Sequence, residues 1–405
     1  MLRSLCCPAI IRLLLLAFGA APAFADTSPG LSRVYVPSVM GPGGLSHLMD
    51  SPAFSFVEVV RSSPVVYDTP SAYGGETADI VVAATGEATS GVTVPSGAPT
   101  FLSEWSYRKI HAISGSPDGD LTDYQMRFVV WRTEGTDSGE NVYVGTLVKE
   151  DYSDLRFTTI GGVQMPYWIE SVGASNAVVW VKVPSIPRAG TQVVMDYGNS
   201  QEARGSDGSA VFEVFDDIEG GSILSGWSTD TGVSATGVKE GENTVGRFTS
   251  NGQVGGGVYR SWTQGTGVLE YSIKLPQNNA YHTISAFSGH ASGVKGAWTF
   301  ATNKGSFGAM APTWMYYTPY SLDQWYTVRM DLKGNGRYDL SINEVKVATD
   351  LAYYGSTTHD RIGIIGWTTG GQAFYDNIRV RPYLATQPDV TGWDVYDGFQ
   401  NGSQF

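Results

Sequence analysis

The chain has 405 residues, of which only 16% are charged, and it carries 50 glycines, 12% aromatic residues and a net charge of −13. That acidity argues against nucleic acid or an anionic membrane as a partner. A composition rich in glycine and aromatics and poor in charge belongs to many short strands joined by tight turns, so an all-β protein is expected, long enough for two or three separately cored domains.

Residues 1–25 read as a signal peptide. Arg3 and Arg12 precede an apolar run, and Ala23-Phe24-Ala25 is the small-x-small pattern that a signal peptidase cuts before Asp26. A retained anchor fits less well, because Leu13 to Phe18 is short for a span and is followed by Gly19 and Pro22. Cys6 and Cys7 both lie in the leader, ahead of the apolar run, so neither marks a lipid-attachment site and the exported chain has no cysteine. Such a chain holds itself together by sheet pairing and burial alone, unless a metal helps. Losing the leader removes two arginines and no acid, taking the net charge to about −15. The mature protein is expected in the periplasm, at the cell surface or outside the cell, with no integral membrane segment.

Residues 26–103 form an N-terminal extension and linker with a few strands, at Val34 to Val39, Ala53 to Val60 and Ile80 to Ala83. Pro37 makes the first an edge strand. The extension is expected to pack on its own chain or to pair with a sheet edge elsewhere.

From Glu104 the strand signal strengthens. Trp105 to Ile110, Tyr124 to Arg132, Val142 to Val148, Asp154 to Thr159, Gln164 to Ser171, Ala177 to Val183 and Gln192 to Tyr197 alternate large and polar groups between glycine and proline turns. About seven strands in roughly 110 residues is the density of a β-sandwich. The ordered blocks Trp105-x-Tyr107-Arg108-Lys109, Asp123-Tyr124-Gln125, Asp154-Leu155-Arg156-Phe157, Pro166 to Glu170, Trp180 to Pro184, Tyr197-Gly198-Asn199 and Phe212-x-x-Phe215-Asp216-Asp217 resemble the family of unknown function DUF2341. The resemblance spans 103–220. It implies a β-sandwich module of exported, surface or envelope proteins, in some relatives fused to a proton-channel module of the ExbB/TolQ type. No transmembrane helix follows the blocks here, and the family supplies no catalytic residues.

Downstream strands are expected at Val245 to Phe248, Gly256 to Ser261, Gly267 to Leu275, His282 to Gly289, Gly296 to Thr302, Gln324 to Leu332, Arg337 to Ile342, Val345 to Ala348, Arg361 to Trp367 and Ala373 to Arg381. Lys333-Gly334-Asn335-Gly336 reads as a hairpin turn, since Asn-Gly accepts the positive φ of a two-residue loop. Trp325 to Val328, Tyr338 to Asn343 and Ala373 to Val380 resemble the closing half of concanavalin A-like, laminin-G-type jelly rolls, which implies two packed antiparallel sheets. The expected fold is therefore two consecutive antiparallel β-sandwiches of jelly-roll type, at 104–211 and 212–383, with a C-terminal tail at 384–405.

Three constellations bear on chemistry. Read as one strand, Phe212 to Glu219 places Asp216 on an apolar face, and Asp376 sits in the same way in the last strand, which should lie beside the first. Asp216, Asp217 and Asp376 are therefore expected to hold a structural Ca²⁺, the alternative being that they cap turns. Asp118-Gly119-Asp120-x-x-Asp123 lacks the spacing and closing Glu of an EF-hand and reads as a solvated turn. Glu213, Asp217 and Glu219 resemble the paired acids of retaining glycosidases, but Phe215 occupies the middle position of that pattern. The five histidines are dispersed and support no zinc or nucleophilic site. Finally, Trp314, Tyr316, Tyr317 and Tyr320 lie in an expected loop beside Pro312 and Pro319, where exposed rings can stack on sugars. Trp298, Trp325 and Trp367 are read as core.

These readings converge on an exported, non-catalytic binding module for a glycan or cell-surface polymer. A structural subunit that pairs with other envelope proteins or with itself is the alternative, and a glycoside hydrolase comes third.

Overall fold

The computed structural model describes residues 32–37, 56–61 and 81–83 and, with short interruptions, residues 102–394. The expected leader at 1–25 lies outside the described residues. Residues 1–93 form one unit, whose described part is a three-stranded antiparallel sheet of β1 (Ser32–Pro37), β2 (Phe56–Arg61) and β3 (Val81–Ala83) in that order. Pro37 ends an edge strand, where its missing N–H costs no ladder bond.

The second unit, 94–405, opens with β4 (Tyr107–Ile113), β5 (Leu121–Trp131), β6 (Asn141–Tyr143), β7 (Arg156–Thr159), β8 (Tyr167–Val172), β9 (Asn176–Ile186) and β10 (Thr191–Tyr197). A helical turn at Gly208–Val211, capped by the Asp207 carboxylate, leads into β11 (Val214–Asp216). There follow β12 (Ser228–Thr229), β13 (Val233–Glu240), β14 (Asn243–Ser250), β15 (Gly257–Ser261), β16 (Thr266–Lys274), β17 (His282–Ser288), β18 (Lys295–Ala297), β19 (Thr299–Ala301) and β20 (Ser306–Met310). The remainder are β21 (Trp314–Pro319), β22 (Trp325–Lys333), β23 (Arg337–Ile342), β24 (Val345–Ala352), β25 (Arg361–Gly366), β26 (Gln372–Arg381) and β27 (Val390–Asp394). The protein is all-β and its sheets are antiparallel, apart from the short parallel pairing of β5 with β6.

Four sheets carry this unit. Sheet I (β27-β4-β10-β7) and sheet II (β6-β5-β9-β8) enclose a core that includes Phe128, Phe157, Val179 and Met195. Sheet III (β13-β14-β26-β16-β22-β23-β24, with β11 on β26) and sheet IV (β12-β15-β25-β17-β19-β20-β21, with β18 on β17) enclose a second, built on Leu269, Met330, Tyr338 and Ile364. Period-two alternation explains both. In β22, Val328, Met330 and Leu332 face the core while Arg329 and Asp331 face away. In β26 a bulge at Asn377, with φ of 53°, keeps Tyr375 and Ile378 both inward and turns Arg379 and Arg381 out.

The segment from residue 384, expected as a tail, is different in the structure. Beyond Pro388 the chain returns to the first sandwich, where β27 pairs with β4 and Val390 joins the first core. Its Val-Thr-Gly-Trp-Asp sequence has too little alternation to announce a strand. The Asp389 N–H donates to Ser114 Oγ and the Ser114 N–H to Asp389 O, each at 2.8 Å, which sets the pairing.

Sheets II and III stack through outward, polar faces. Arg379 bonds Glu170 of β8 at 2.8 Å and Glu270 of β16 at 3.2 Å, and its guanidinium lies over the rings of Trp168, Trp180 and Phe212. Arg381 reaches Glu270 at 3.3 Å. The junction closes against this network: Phe212 and Phe215 stack beside Trp168, and a Cβ on Gly208 would sit 2.0 Å from the Phe215 ring, so only glycine fits there. Burial works to raise the Glu270 pKa, but Arg381, Arg379 and Arg329 outweigh it and hold the carboxyl at about 2. This ion pairing is therefore present above the ordinary value of 4.5 and is lost as pH falls toward about 2. Glu270→Gln, which leaves buried guanidinium groups uncompensated, should cost about 3–5 kcal/mol at neutral pH. Denaturant melts from pH 7 to 2 should show that deficit shrinking below pH 4.5.

Candidate functional site

The segment expected as a loop at Trp314 to Tyr320 is an edge strand. β21 pairs with β20 at the end of sheet IV, a place where Pro319 is tolerated. Strand geometry then sorts the four aromatic residues. Trp314 opposes Met310 and Tyr316 opposes Gly308, and both project from the outer face, 40% and 49% exposed. A register shift between Phe307 and Gly308 leaves Tyr317 as the extra residue, half-buried against the second core. Tyr320 is only 7% exposed, and its hydroxyl donates to the Thr302 carbonyl at 2.6 Å. Tyr320 therefore serves the core and is unavailable to a ligand.

Trp298 and Trp367, read from the sequence as core, do pack in a buried cluster, a small one separate from the second core, in which Trp298 is 7% exposed, Phe300 1% and Ile365 2%, with Trp367 half-buried against them. Ring contacts run continuously across it. Tyr354 lies 5.5 Å from Trp298, Trp298 lies 5.0 Å from Trp367, Trp367 lies 5.3 Å from Phe300, and Phe300 lies 5.0 Å from Trp314. Tyr354, 39% exposed, and Trp314 are the accessible ends. Tyr354 is the residue that sequence reasoning missed, since it follows β24 in a stretch without strand periodicity. Trp314 and Tyr354 rest on these buried rings and, with Tyr316, offer exposed ring surface to a flat, partly apolar ligand.

Asp216 lies in β11 and Asp376 in β26, and these two strands pair. β11 lies beside β26, with Asp216 opposite Ile378, as first and last strands of a closing sandwich should. The strand ends at Asp216, however, and Ile218 takes a φ of 61°, so Glu213, Asp217 and Glu219 share no strand face. Asp216 accepts from the Ile218 N–H at 3.0 Å, Asp217 from the Glu219 N–H at 3.4 Å, and Asp376 from the Asn377 N–H at 2.8 Å and Asn243 Nδ2 at 2.9 Å. Among the described residues no three His, Cys, Asp or Glu side chains form a metal-ligating group. Asp120 accepts from the Arg188 N–H at 2.7 Å and serves a turn. His111 and His359 lie in different sandwiches, and His47 and His290 lie outside the described residues.

Residues 151–230 match the family described as Domain of unknown function (DUF2341). No curated protein matches the chain. Among solved structures, a protein titled "Sialidase" is 16% identical with a TM-score of 0.35, covering 54% of this chain and 21% of its own. This chain therefore spans about a fifth of that protein's length. A carbohydrate-binding module, CBM66 from Bacillus subtilis, is 14% identical with a TM-score of 0.30, covering 38% of this chain and 95% of its own. A cellulose-induced protein, Cip1, is 13% identical with a TM-score of 0.28, covering 42% and 96%.

Burial raises the Asp376 pKa from 3.8 to about 7; Asn243 and the Asn377 amide oppose the rise, and Asp217 and Glu219 add to it. Burial likewise raises Asp216 to about 6. A raised carboxyl stabilises the fold below pH 3.8, and that contribution is lost as pH rises to about 7. Asp376→Asn should therefore be more stable than the parent above pH 7, by on the order of 2 kcal/mol, and indistinguishable from it below pH 4. Thermal melts across that range read the difference directly.

Proposed function

We propose that the protein is an exported, non-catalytic binding module that recognises a glycan or a similar cell-surface polymer through the outer face of sheet IV. One observation carries the reading: Trp314, Tyr316 and Tyr354 are exposed aromatic residues, and Trp314 and Tyr354 end a run of ring contacts through the buried cluster of Trp298, Trp367 and Phe300. Exposed rings held in place from beneath leave apolar area in water that a sugar's CH faces can cover. Exposed Thr313 and Gln324 flank the strand and can serve the sugar's hydroxyls. Among the described residues no helix is long and apolar enough to cross a membrane. The second sandwich is proposed to be of the concanavalin A-like, laminin-G type. Export rests on the leader sequence alone.

A calcium ion at Asp216, Asp217 and Asp376 belongs to this proposal as a stabiliser. In its favour is mutual repulsion, since Asp217 raises both partners' pKa values and a divalent cation would relieve that. Calcium should raise the melting temperature at pH 7.5 in the parent but not in Asp376→Asn. An equal response, or none, removes the ion from the proposal.

The binding surface is tested on a glycan array with Trp314→Ala/Tyr316→Ala. Because both rings are exposed, the variant should melt like the parent while losing roughly tenfold in affinity for each ring. Unchanged retention by a folded variant would sink the platform. Tyr320→Phe should instead leave retention intact and cost about 1 kcal/mol of stability through the lost bond to Thr302. Polymerisation on size-exclusion chromatography would favour a structural subunit.

A further inference from the structure

Sheet II covers the outward face of sheet III only in part. Over Arg329, Arg379 and Arg381 the two sheets leave a cleft of about 660 Å³, and every arginine of its wall is already paired with a carboxylate. Farther along the strands the face is open, and one row of residues runs across the five neighbouring strands β13, β14, β26, β16 and β22. Thr236 opposes Arg247, Arg247 opposes Phe374, Phe374 opposes Lys274, and Lys274 opposes Trp325. Phe248, Ala373, Ile273 and Val328 point into the second core, so by period-two alternation this row points out. Trp325, read from the sequence as core, is therefore half-buried on an outer face.

One end of the row is satisfied and the other is not. The Lys274 ammonium lies 5.1 Å from the centroid of the Trp325 ring and 4.7 Å from that of Phe374, and it is paired with Glu240. The Trp325 Nε1–H donates to the same carboxylate at 3.3 Å, so Glu240 neutralises the lysine and fixes the indole. Arg247 is different. It is half-buried between exposed Thr236 and half-buried Phe374, and its guanidinium makes no ion pair or hydrogen bond among the described residues. A partly desolvated charge without a counter-ion costs free energy, and a bound anion recovers it.

The surroundings of Arg247 indicate which anion fits. An uncompensated charge beside two rings suits a ligand with one anionic group and an apolar face. Ser234, Thr249 and Gln372 form the next row of the same outward face and, with Thr236, present hydroxyl and amide groups to a ligand's hydroxyls. A densely charged polyanion would be repelled by a chain of net charge −13, and a simple aromatic acid would leave those polar groups unused. We propose that this face binds a uronic-acid unit of a saccharide, its carboxylate paired with Arg247 and its CH face against the rings of Phe374 and Trp325. The site is separate from the exposed rings of sheet IV and does not depend on them.

The test uses the full chain carrying Trp314→Ala/Tyr316→Ala, so that binding at the sheet IV rings cannot contribute. Calorimetric titration with glucuronate, galacturonate and digalacturonate should find at least one that binds saturably with one site per chain, and more tightly than glucose, galactose or benzoate. Adding Arg247→Gln should weaken that binding roughly ten- to a hundredfold while leaving the melting temperature unchanged or higher, because the guanidinium has no partner to lose. Adding Thr236→Trp, at the exposed position directly opposite Arg247, should abolish binding by covering the guanidinium. Failure of every uronate, equal binding of a neutral sugar or of benzoate, or binding untouched by Arg247→Gln each overturns the proposal. None of these outcomes bears on the sheet IV rings, which the glycan array tests separately.

Discussion

The architecture turns on one guanidinium. Arg379 satisfies a carboxylate from each sandwich, Glu170 and Glu270, and spreads its cationic face over three rings of the junction. A buried arginine in that position could not be tolerated without all of these partners, because the desolvation of an unpaired charge exceeds what any single contact returns. The residues that satisfy it come from β8, β9, β16 and the Phe212 segment, so the side chain can be housed only when both sandwiches and their connection are in place. Its partner across the ladder is Phe215, whose ring in turn occupies the space a side chain at Gly208 would need.

Such an interface is a poor source of net stability and a good source of alignment. An apolar contact of the same area would tolerate sliding, since one methylene serves much like another. Here a shift of one residue along β26 would bring Val380 or Ile378 to Glu170 and Glu270 and strand several charges in a confined space. The same property explains the cleft. Two apolar faces interdigitate until no void remains, as they do inside each sandwich, whereas facing arginines and glutamates stop where their bonds are made. The space that remains is polar, walled by paired charges, and unlike the aromatic outer face of sheet IV.

Much of the fold was legible in the sequence because alternation is a local property. The strands of both sandwiches fall close to where period two places them, and the pairing of β11 with β26 follows from the closure of a sandwich. The misses share a cause. At Lys333 to Gly336 the hairpin is present, with Gly334 and Gly336 both at positive φ, but the two-residue turn with two positive φ values is Asn343-Glu344. A glutamate in that conformation is strained and carries no Asn-Gly signal. Likewise β27 rests on partners about 270 residues earlier in the chain, which no window of the sequence contains. Of the four aromatic residues in 314–320, a loop reading exposes all, whereas a strand with a bulge exposes Trp314 and Tyr316 and turns Tyr317 and Tyr320 inward.

Alternation says which residues leave the core; it does not say what they meet outside it. The outward positions of β22 and β26 are Arg329, Asp331, Arg379 and Arg381, and a sequence reading sends such residues to water. In the folded chain they are covered by sheet II and held in pairs. The outward positions around β19 and β25 are Trp298, Phe300 and Ile365, and a sequence reading sends those to a core. In the folded chain they do form a core, but a small one of their own, apart from the core between sheets III and IV. Both placements come from the order in which four sheets stack, a property of the whole chain. That stacking gives one molecule two features of opposite character: a charged wall turned inward around a polar cleft, and a small buried aromatic cluster that holds Trp314 and Tyr354 at the surface.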